Sequence, residues 1–122
     1  MAMERAKTRP MLGGLQSGII VLALAAAVAH FYEAAVAPEI RVLFTLNGLG
    51  WLILLAAHYL PVLADHHRLT RWALLGYAAL NVVAYFVWNF IRGEWTPLGW
   101  ITVTLEAVLV GLLWLEDRQA EA

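Results

Sequence analysis

The chain has 122 residues, of which 62% are hydrophobic and only 14% are charged, and its formal net charge is −1. A soluble domain carries roughly 45–50% apolar and about 25% charged residues, so this composition indicates a membrane protein. The near-neutral charge argues against a nucleic-acid partner, and the lack of cysteine excludes disulfides, thiolate metal sites and cysteine nucleophiles.

Four apolar segments follow one another along the chain, each close to the roughly 20 residues that a transmembrane helix needs. They cover residues 12–36, 42–63, 72–91 and 98–115. Short polar or proline-containing stretches separate them, and Pro38 and Pro97 stand at expected first turns. The predicted fold is therefore all-α: an integral membrane, antiparallel four-helix bundle that forms a single transmembrane domain over residues 1–122.

Lysine and arginine predict the orientation of these helices. Six lie on the side of the two termini and the second connection: Arg5, Lys7, Arg9, Arg68, Arg71 and Arg118. Only Arg41 and Arg92 lie on the other side. Because positively charged residues favour the cytoplasmic side, we expect a multi-pass protein of the cell membrane with both termini in the cytoplasm.

Glu106 is the most informative single residue, because a carboxylate near the middle of a span is costly and must be accepted inside the protein. On the third segment, polar residues recur every four positions and so share one helix face. The polar faces of the four helices can meet inside the bundle. The predicted intramembrane polar cluster comprises His30, Asn47, Asn81, Tyr85, Thr102 and Glu106.

This polar cluster has several interpretations. The structural one is interhelical glue, in which the side chains satisfy one another and fix the register of the helices. The functional one is a proton or substrate site, with Glu106 titrating and His30 acting as a relay. Contact with a cofactor or with a partner protein is a further interpretation.

Histidines are the candidate cofactor ligands, although no cofactor is strongly implied. His30 and His58 are weak candidates for binding a tetrapyrrole, but at 1.5 Å per residue they lie roughly 16 Å apart along the bundle and are poor co-ligands. Whether the protein binds a quinone is left open as well. The neighbours Asp65, His66 and His67 lie in a connection, and we expect a solvated loop and no metal site there.

Three stretches of the chain resemble a broad set of short, uncharacterised four-helix integral membrane proteins of bacteria and archaea. They are residues 44–50 (FTLNGLG), residues 76–77 (GY) and residues 97–106 (PLGWITVTLE). The resemblance covers most of the chain. It implies a fold and a membrane location, and it implies no activity.

The sequence contains no nucleotide loop, no paired catalytic carboxylates and no serine triad, since Ser17 is the only serine. We therefore expect no catalytic residues and no enzyme. The favoured hypothesis is a non-catalytic accessory subunit of a larger membrane complex, with the lipid bilayer and other membrane subunits or further copies of itself as partners. The alternatives are a small homo-oligomeric transporter or channel that uses the Glu106 carboxylate, and a haem- or pigment-binding membrane protein.

Overall fold

The computed structural model describes residues 13–121, and this part of the chain is almost entirely helical. The long helices are α1 (Gly14–Val36), α2 (Arg41–Tyr59), α3 (His67–Arg92) and α4 (Pro97–Glu121). Short 3₁₀ helices, Pro38–Ile40 and Pro61–His66, connect α1 to α2 and α2 to α3. Within residues 13–121, four helices are long and apolar enough to cross a membrane. The expected all-α fold class is confirmed for this part of the chain.

The helices form a ring in which each one packs against two neighbours. Helix α1 contacts α2 and α4, and α3 contacts α4 and α2, with the α2–α3 contact the least extensive of the four. Because the connections are short, consecutive helices run antiparallel. The turn Pro61–His66 therefore lies at the same end as Gly13 and Glu121, here called the termini end. The other two connections lie at the opposite end, called the far end.

The middle of the bundle is a core of apolar side chains, here called the dry core. Its most completely buried side chains are apolar and come from all four helices: Ile19, Ala23, Trp51, Leu74, Leu109 and Leu113. Many large apolar side chains instead point outwards, such as Val42, which is 74% exposed, and Phe90, which is 78% exposed. Such an outer surface suits a lipid environment better than water.

The helix boundaries differ from the predicted ones at three places. Helix α2 ends at Tyr59 and not at residue 63, because Leu60 precedes Pro61 and takes an extended conformation with ψ 144°. Helix α3 begins at His67, earlier than the predicted residue 72, and α4 continues to Glu121, well past residue 115. The predicted start at Leu12 and the basic residues before it lie outside the described residues.

Two glycines of α2 allow close contact between helices. Gly48 faces the ring of Phe31 on α1, and Gly50 faces the hydroxyl group of Tyr77 on α3. A methyl group at either position would come within 3 Å of those atoms, closer than van der Waals contact allows. The approach at Gly50 positions Tyr77 beneath the cavity described next.

Candidate functional site

A cavity of about 640 Å³ lies in the far-end half of the bundle, between all four helices. All six residues of the predicted polar cluster line it: His30, Asn47, Asn81, Tyr85, Thr102 and Glu106. The four-residue spacing of polar side chains on α3 therefore does mark a shared interior surface. What the sequence did not show is that this surface encloses open space.

The floor of the cavity is a satisfied hydrogen-bond network between α2 and α3. Asn47 Nδ2 donates to Asn81 Oδ1 at 2.7 Å, and Asn81 Nδ2 donates to the Tyr77 carbonyl at 2.9 Å. The Tyr77 hydroxyl in turn reaches the carbonyl of Asn47 at 2.8 Å. The bonds between the two helices hold α2 and α3 together at mid-height. These residues therefore fix the relative position of the helices, as the structural interpretation expected.

Glu106 and His30 are not satisfied in this way. His30 Nδ1 lies 2.7 Å from the Ala26 carbonyl, and since a carbonyl can only accept, Nδ1 carries a hydrogen. His30 Nε2 then faces Glu106 Oε2 at 3.7 Å, too far for a hydrogen bond. Both side chains are nearly fully buried, and Glu106 Oε2 has no hydrogen-bond partner within residues 13–121. The cavity thus exposes two acceptor-type atoms side by side.

Other buried polar atoms in this region also lack partners among the described residues, namely Tyr85 Oη, Asn89 Oδ1 and Trp51 Nε1. The Trp51 indole group lies near the Glu106 carboxyl group, but no hydrogen bond joins Trp51 Nε1 to Glu106 Oε2. Buried polar groups are normally paired, so a group of unpaired ones around a cavity suggests a ligand. Thr102 contributes no free donor, because its hydroxyl donates to the Leu98 carbonyl at 2.8 Å.

The cavity has an apolar side between α2 and α3. Leu43 and Leu46 on α2 and Leu80 and Ala84 on α3 line the cavity and are also exposed on the outer surface. They belong to the helix pair with the least extensive contact of the four, and we call the surface that they form the side slot.

The far-end rim of the cavity is acidic, with Glu33, Glu39 and Glu94 among its lining residues. Ion pairs with the two far-end arginines would be the ordinary expectation, but within residues 13–121 these arginines have other roles. Arg41 Nε donates to the Ala34 carbonyl at 2.9 Å, at the end of α1. Arg92 lies over the Trp88 ring at 4.8 Å. Glu94 Oε2 accepts a hydrogen bond from Trp88 Nε1 at 3.1 Å, so Glu33 and Glu39 are the rim carboxylates best placed to meet a cationic ligand.

A second polar site lies at the termini end and was not predicted. Glu116 Oε1 accepts hydrogen bonds from Arg71 Nε at 3.0 Å and has His58 Nε2 at 2.5 Å. Glu116 Oε2 accepts from Tyr59 at 2.8 Å and from Gln16 at 3.2 Å. One carboxylate on α4 thus joins the other three helices.

The rest of this site completes the pairing. Arg71 Nη1 donates to Asp117 Oδ1 at 3.0 Å, and Asp117 also lies 3.8 Å from Arg68 Nε. His58 Nδ1 lies 2.9 Å from Thr70 Oγ1. We call this group the termini-end network: Gln16, His58, Tyr59, Thr70, Arg71, Glu116 and Asp117. None of the described buried atoms that lack a hydrogen-bond partner belongs to it. The sequence placed its charged members in loops because the predicted helices were too short.

His67 corrects the expectation of a solvated loop. Asp65 and His66 are exposed as expected, but His67 begins α3, is half-buried and stacks on the His58 ring at 4.0 Å. Its Nε2 lies 3.9 Å from Glu116 Oε1. The rings of the two weak tetrapyrrole candidates also differ: both nitrogens of His58 face partners, whereas Nε2 of His30 faces the cavity.

By distance alone, His58, His67 and Glu116 could hold a metal ion, since their ligand atoms lie within 4.8 Å of one another. Two histidines and a carboxylate suit zinc. However, the guanidinium group of Arg71 already donates to the same Glu116 oxygen at 3.0 Å and would repel a divalent cation. The charges and hydrogen bonds of this network favour a proton over a metal.

Comparisons with protein-family models, with curated proteins and with solved structures found no match for this chain. The chemistry of the two polar sites therefore carries the functional argument.

The termini-end network predicts a large loss of stability on replacing Arg71. In Arg71→Gln, Glu116 and Asp117 lose their buried cation, which typically costs about 3–5 kcal/mol. In the control Arg92→Gln, an exposed arginine leaves a Trp ring, which costs about 1 kcal/mol or less. The midpoint of thermal unfolding in detergent compares them. Equal midpoints for the two variants would contradict the structural role of the network.

Proposed function

We propose that this protein is a multi-pass membrane protein with cytoplasmic termini, and that it binds and transports a small organic cation through the far-end cavity. Glu106 is the binding carboxylate. The observation that carries the proposal is the buried Glu106 Oε2 atom, which lies at the cavity without a hydrogen-bond partner among the described residues and 3.7 Å from His30 Nε2.

The unpaired atoms favour a ligand that is both cationic and a hydrogen-bond donor. An ionised Glu106 and a neutral His30 ring each present a lone pair to the cavity, and the Asn89 oxygen is a third acceptor. An ammonium or guanidinium group offers several N–H donors and a charge that compensates the buried carboxylate. The acidic rim would also raise the local concentration of cations.

The size and lining of the cavity favour an organic ligand over a bare metal ion. Its volume of about 640 Å³ is typical of small-molecule sites, which measure roughly 300–1,000 Å³. Much of the lining is apolar, including Leu43, Phe44 and Leu80. The side slot between α2 and α3 suits a ligand that enters from the lipid while its apolar part stays in contact with the lipid.

Transport, and not only binding, is supported by the difference between the two ends. The cavity lies in the far-end half of the bundle, whereas the apolar core and the termini-end network fill the opposite half. A protein that opens one end while the other is closed has the form that alternating access requires. A proton can take the place of the cation between Glu106 and His30, so exchange of a cation for a proton is the simplest mechanism.

Uptake of phenylguanidinium into liposomes tests this proposal, because this probe is charged, carries N–H donors and has an apolar ring. We expect Glu106→Gln to reduce uptake about 10- to 100-fold, because a hydrogen bond to a charged group is worth about 1.5–3 kcal/mol. The matched control Asp65→Asn changes an exposed acid at the termini end and should leave uptake unchanged. Undiminished uptake by the Glu106 variant would refute the proposal.

The proposed orientation is tested with single cysteines, since the chain has none of its own. A membrane-impermeant maleimide should label Glu39→Cys, at the far end, in intact cells. It should label Ala120→Cys, at the termini end, only after the membrane is opened or inverted. Both side chains are exposed, so labelling depends on the side of the membrane. The reverse pattern would place the termini outside.

The accessory-subunit role is a second proposal, supported by an aromatic surface at the far end. Trp95 and Trp100 stack at 5.3 Å, and Phe90, 78% exposed, contacts Trp95. Aromatic residues are frequent in protein interfaces, although they also favour the membrane surface. Native mass spectrometry after gentle extraction from the native membrane separates the two proposals. A stoichiometric heteromer supports the subunit role, and a homo-oligomer alone supports the transporter.

A further inference from the structure

The hydrogen atoms of the termini-end network can be assigned from its acceptors. The Thr70 hydroxyl lies 3.0 Å from the His67 carbonyl, which can only accept, so Thr70 donates its one hydrogen there. Thr70 Oγ1 must then accept from His58 Nδ1 at 2.9 Å. His58 Nδ1 therefore carries a hydrogen, and Nε2 is the nitrogen that faces Glu116.

His58 Nε2 and Glu116 Oε1 lie 2.5 Å apart and both are buried. Two bare lone pairs at that distance would repel each other, so a second hydrogen must lie between these atoms. With it, the network holds two positive charges, on His58 and Arg71, and two negative charges, on Glu116 and Asp117. Without it, the buried side chains alone would carry a net charge of −1, offset only by Arg68, which is 70% exposed and lies 3.8 Å from Asp117. A net charge on buried groups is costly.

We propose that the His58–Glu116 pair is a proton-binding site and that release of its proton opens the termini end of the bundle. The inference rests on the proposed transport function in one respect only: it identifies the proton as the ion whose release is coupled to transport. Loss of the proton removes the His58–Glu116 hydrogen bond and leaves the Tyr59 hydroxyl as the α2 donor to Glu116. Arg71 remains bonded to both carboxylates. Opening is therefore favoured as the pH rises.

The groups around the His58–Glu116 pair agree with an opening that is favoured as the pH rises. Helix α1 contributes Gln16, which does not titrate, and α2 contributes Tyr59, which donates to Glu116. From α3, Arg68 and Arg71 are positive, and from α4, Asp117 is negative. His67, also from α3, stacks on His58, and its side chain is 38% exposed, so it connects the buried pair to solvent.

A buried cysteine reports the opening. Ala23 is fully buried in the dry core, deeper in the bundle than Gln16 on the same helix, and Ala120 is exposed at the termini end. The labelling rate of Ala23→Cys by a polar maleimide in nanodiscs is divided by that of Ala120→Cys, which removes the effect of pH on the thiol. We expect this ratio to rise about tenfold per pH unit, since opening releases one proton.

Two variants test whether the pH response depends on the His58–Glu116 pair. In Glu116→Gln the amide can donate to a neutral His58, and the remaining charges of Arg71 and Asp117 balance, so the ratio should stay low at all pH values. His66→Gln removes the neighbouring exposed histidine and should keep the normal response. A ratio that does not change with pH in the wild type, or an unchanged rise in Glu116→Gln, would overturn the proposal.

Nitrogen NMR tests the same site without a variant of the network. The chain has only four histidines, so the ring ¹⁵N signals of a histidine-labelled sample can be resolved. At a pH where Ala23→Cys is protected, both ring nitrogens of His58 should be protonated. One bare nitrogen at that pH would overturn the proposal. Failure of phenylguanidinium uptake with these results intact would remove only the coupling to transport.

Discussion

The carboxylate of Glu116 is the interaction on which the termini end of this bundle depends. It lies on α4 and is held by one side chain of α1, two of α2 and one of α3, so a single group ties the four helices at one end. Towards the far end, Glu106 lies two to three turns along the same helix, and its Oε2 atom has no hydrogen-bond partner among the described residues. Two glutamates of one helix thus have opposite environments.

This difference makes the two ends of the bundle chemically unlike. Between the two glutamates lies a dry core of apolar side chains, including Leu109 and Leu113 of the same helix. Paired charges are stable at the termini end because none of the described buried atoms without a hydrogen-bond partner lies in this network. Unpaired acceptors at the far end are tolerated only if something else satisfies them, and a cationic ligand or a proton fits the geometry. Under the proposed transport function, cation binding at the far end and opening of the termini-end network are parts of one cycle.

Much of the far-end site follows from the sequence. Helix periodicity on α3 places Asn81 and Tyr85 on one face, and the cost of a charge in lipid draws Glu106 towards them. The termini-end network could not be found by the same reasoning. Hydropathy ends a predicted span at the first charged residues, so Arg71 and Glu116 were placed beyond the helices. Whether such charges are solvated or paired depends on how far the antiparallel helices extend and on their register.

Direct binding of phenylguanidinium to the protein in nanodiscs, measured by calorimetry beside its neutral analogue phenylurea, tests the central claim most directly. The two molecules have nearly the same shape and differ in charge. We predict that the wild type binds phenylguanidinium more tightly than phenylurea and that Glu106→Gln removes this preference. Equal binding of both molecules by the wild type, or an unchanged preference in the variant, would contradict the assignment of Glu106 as a cation-binding group.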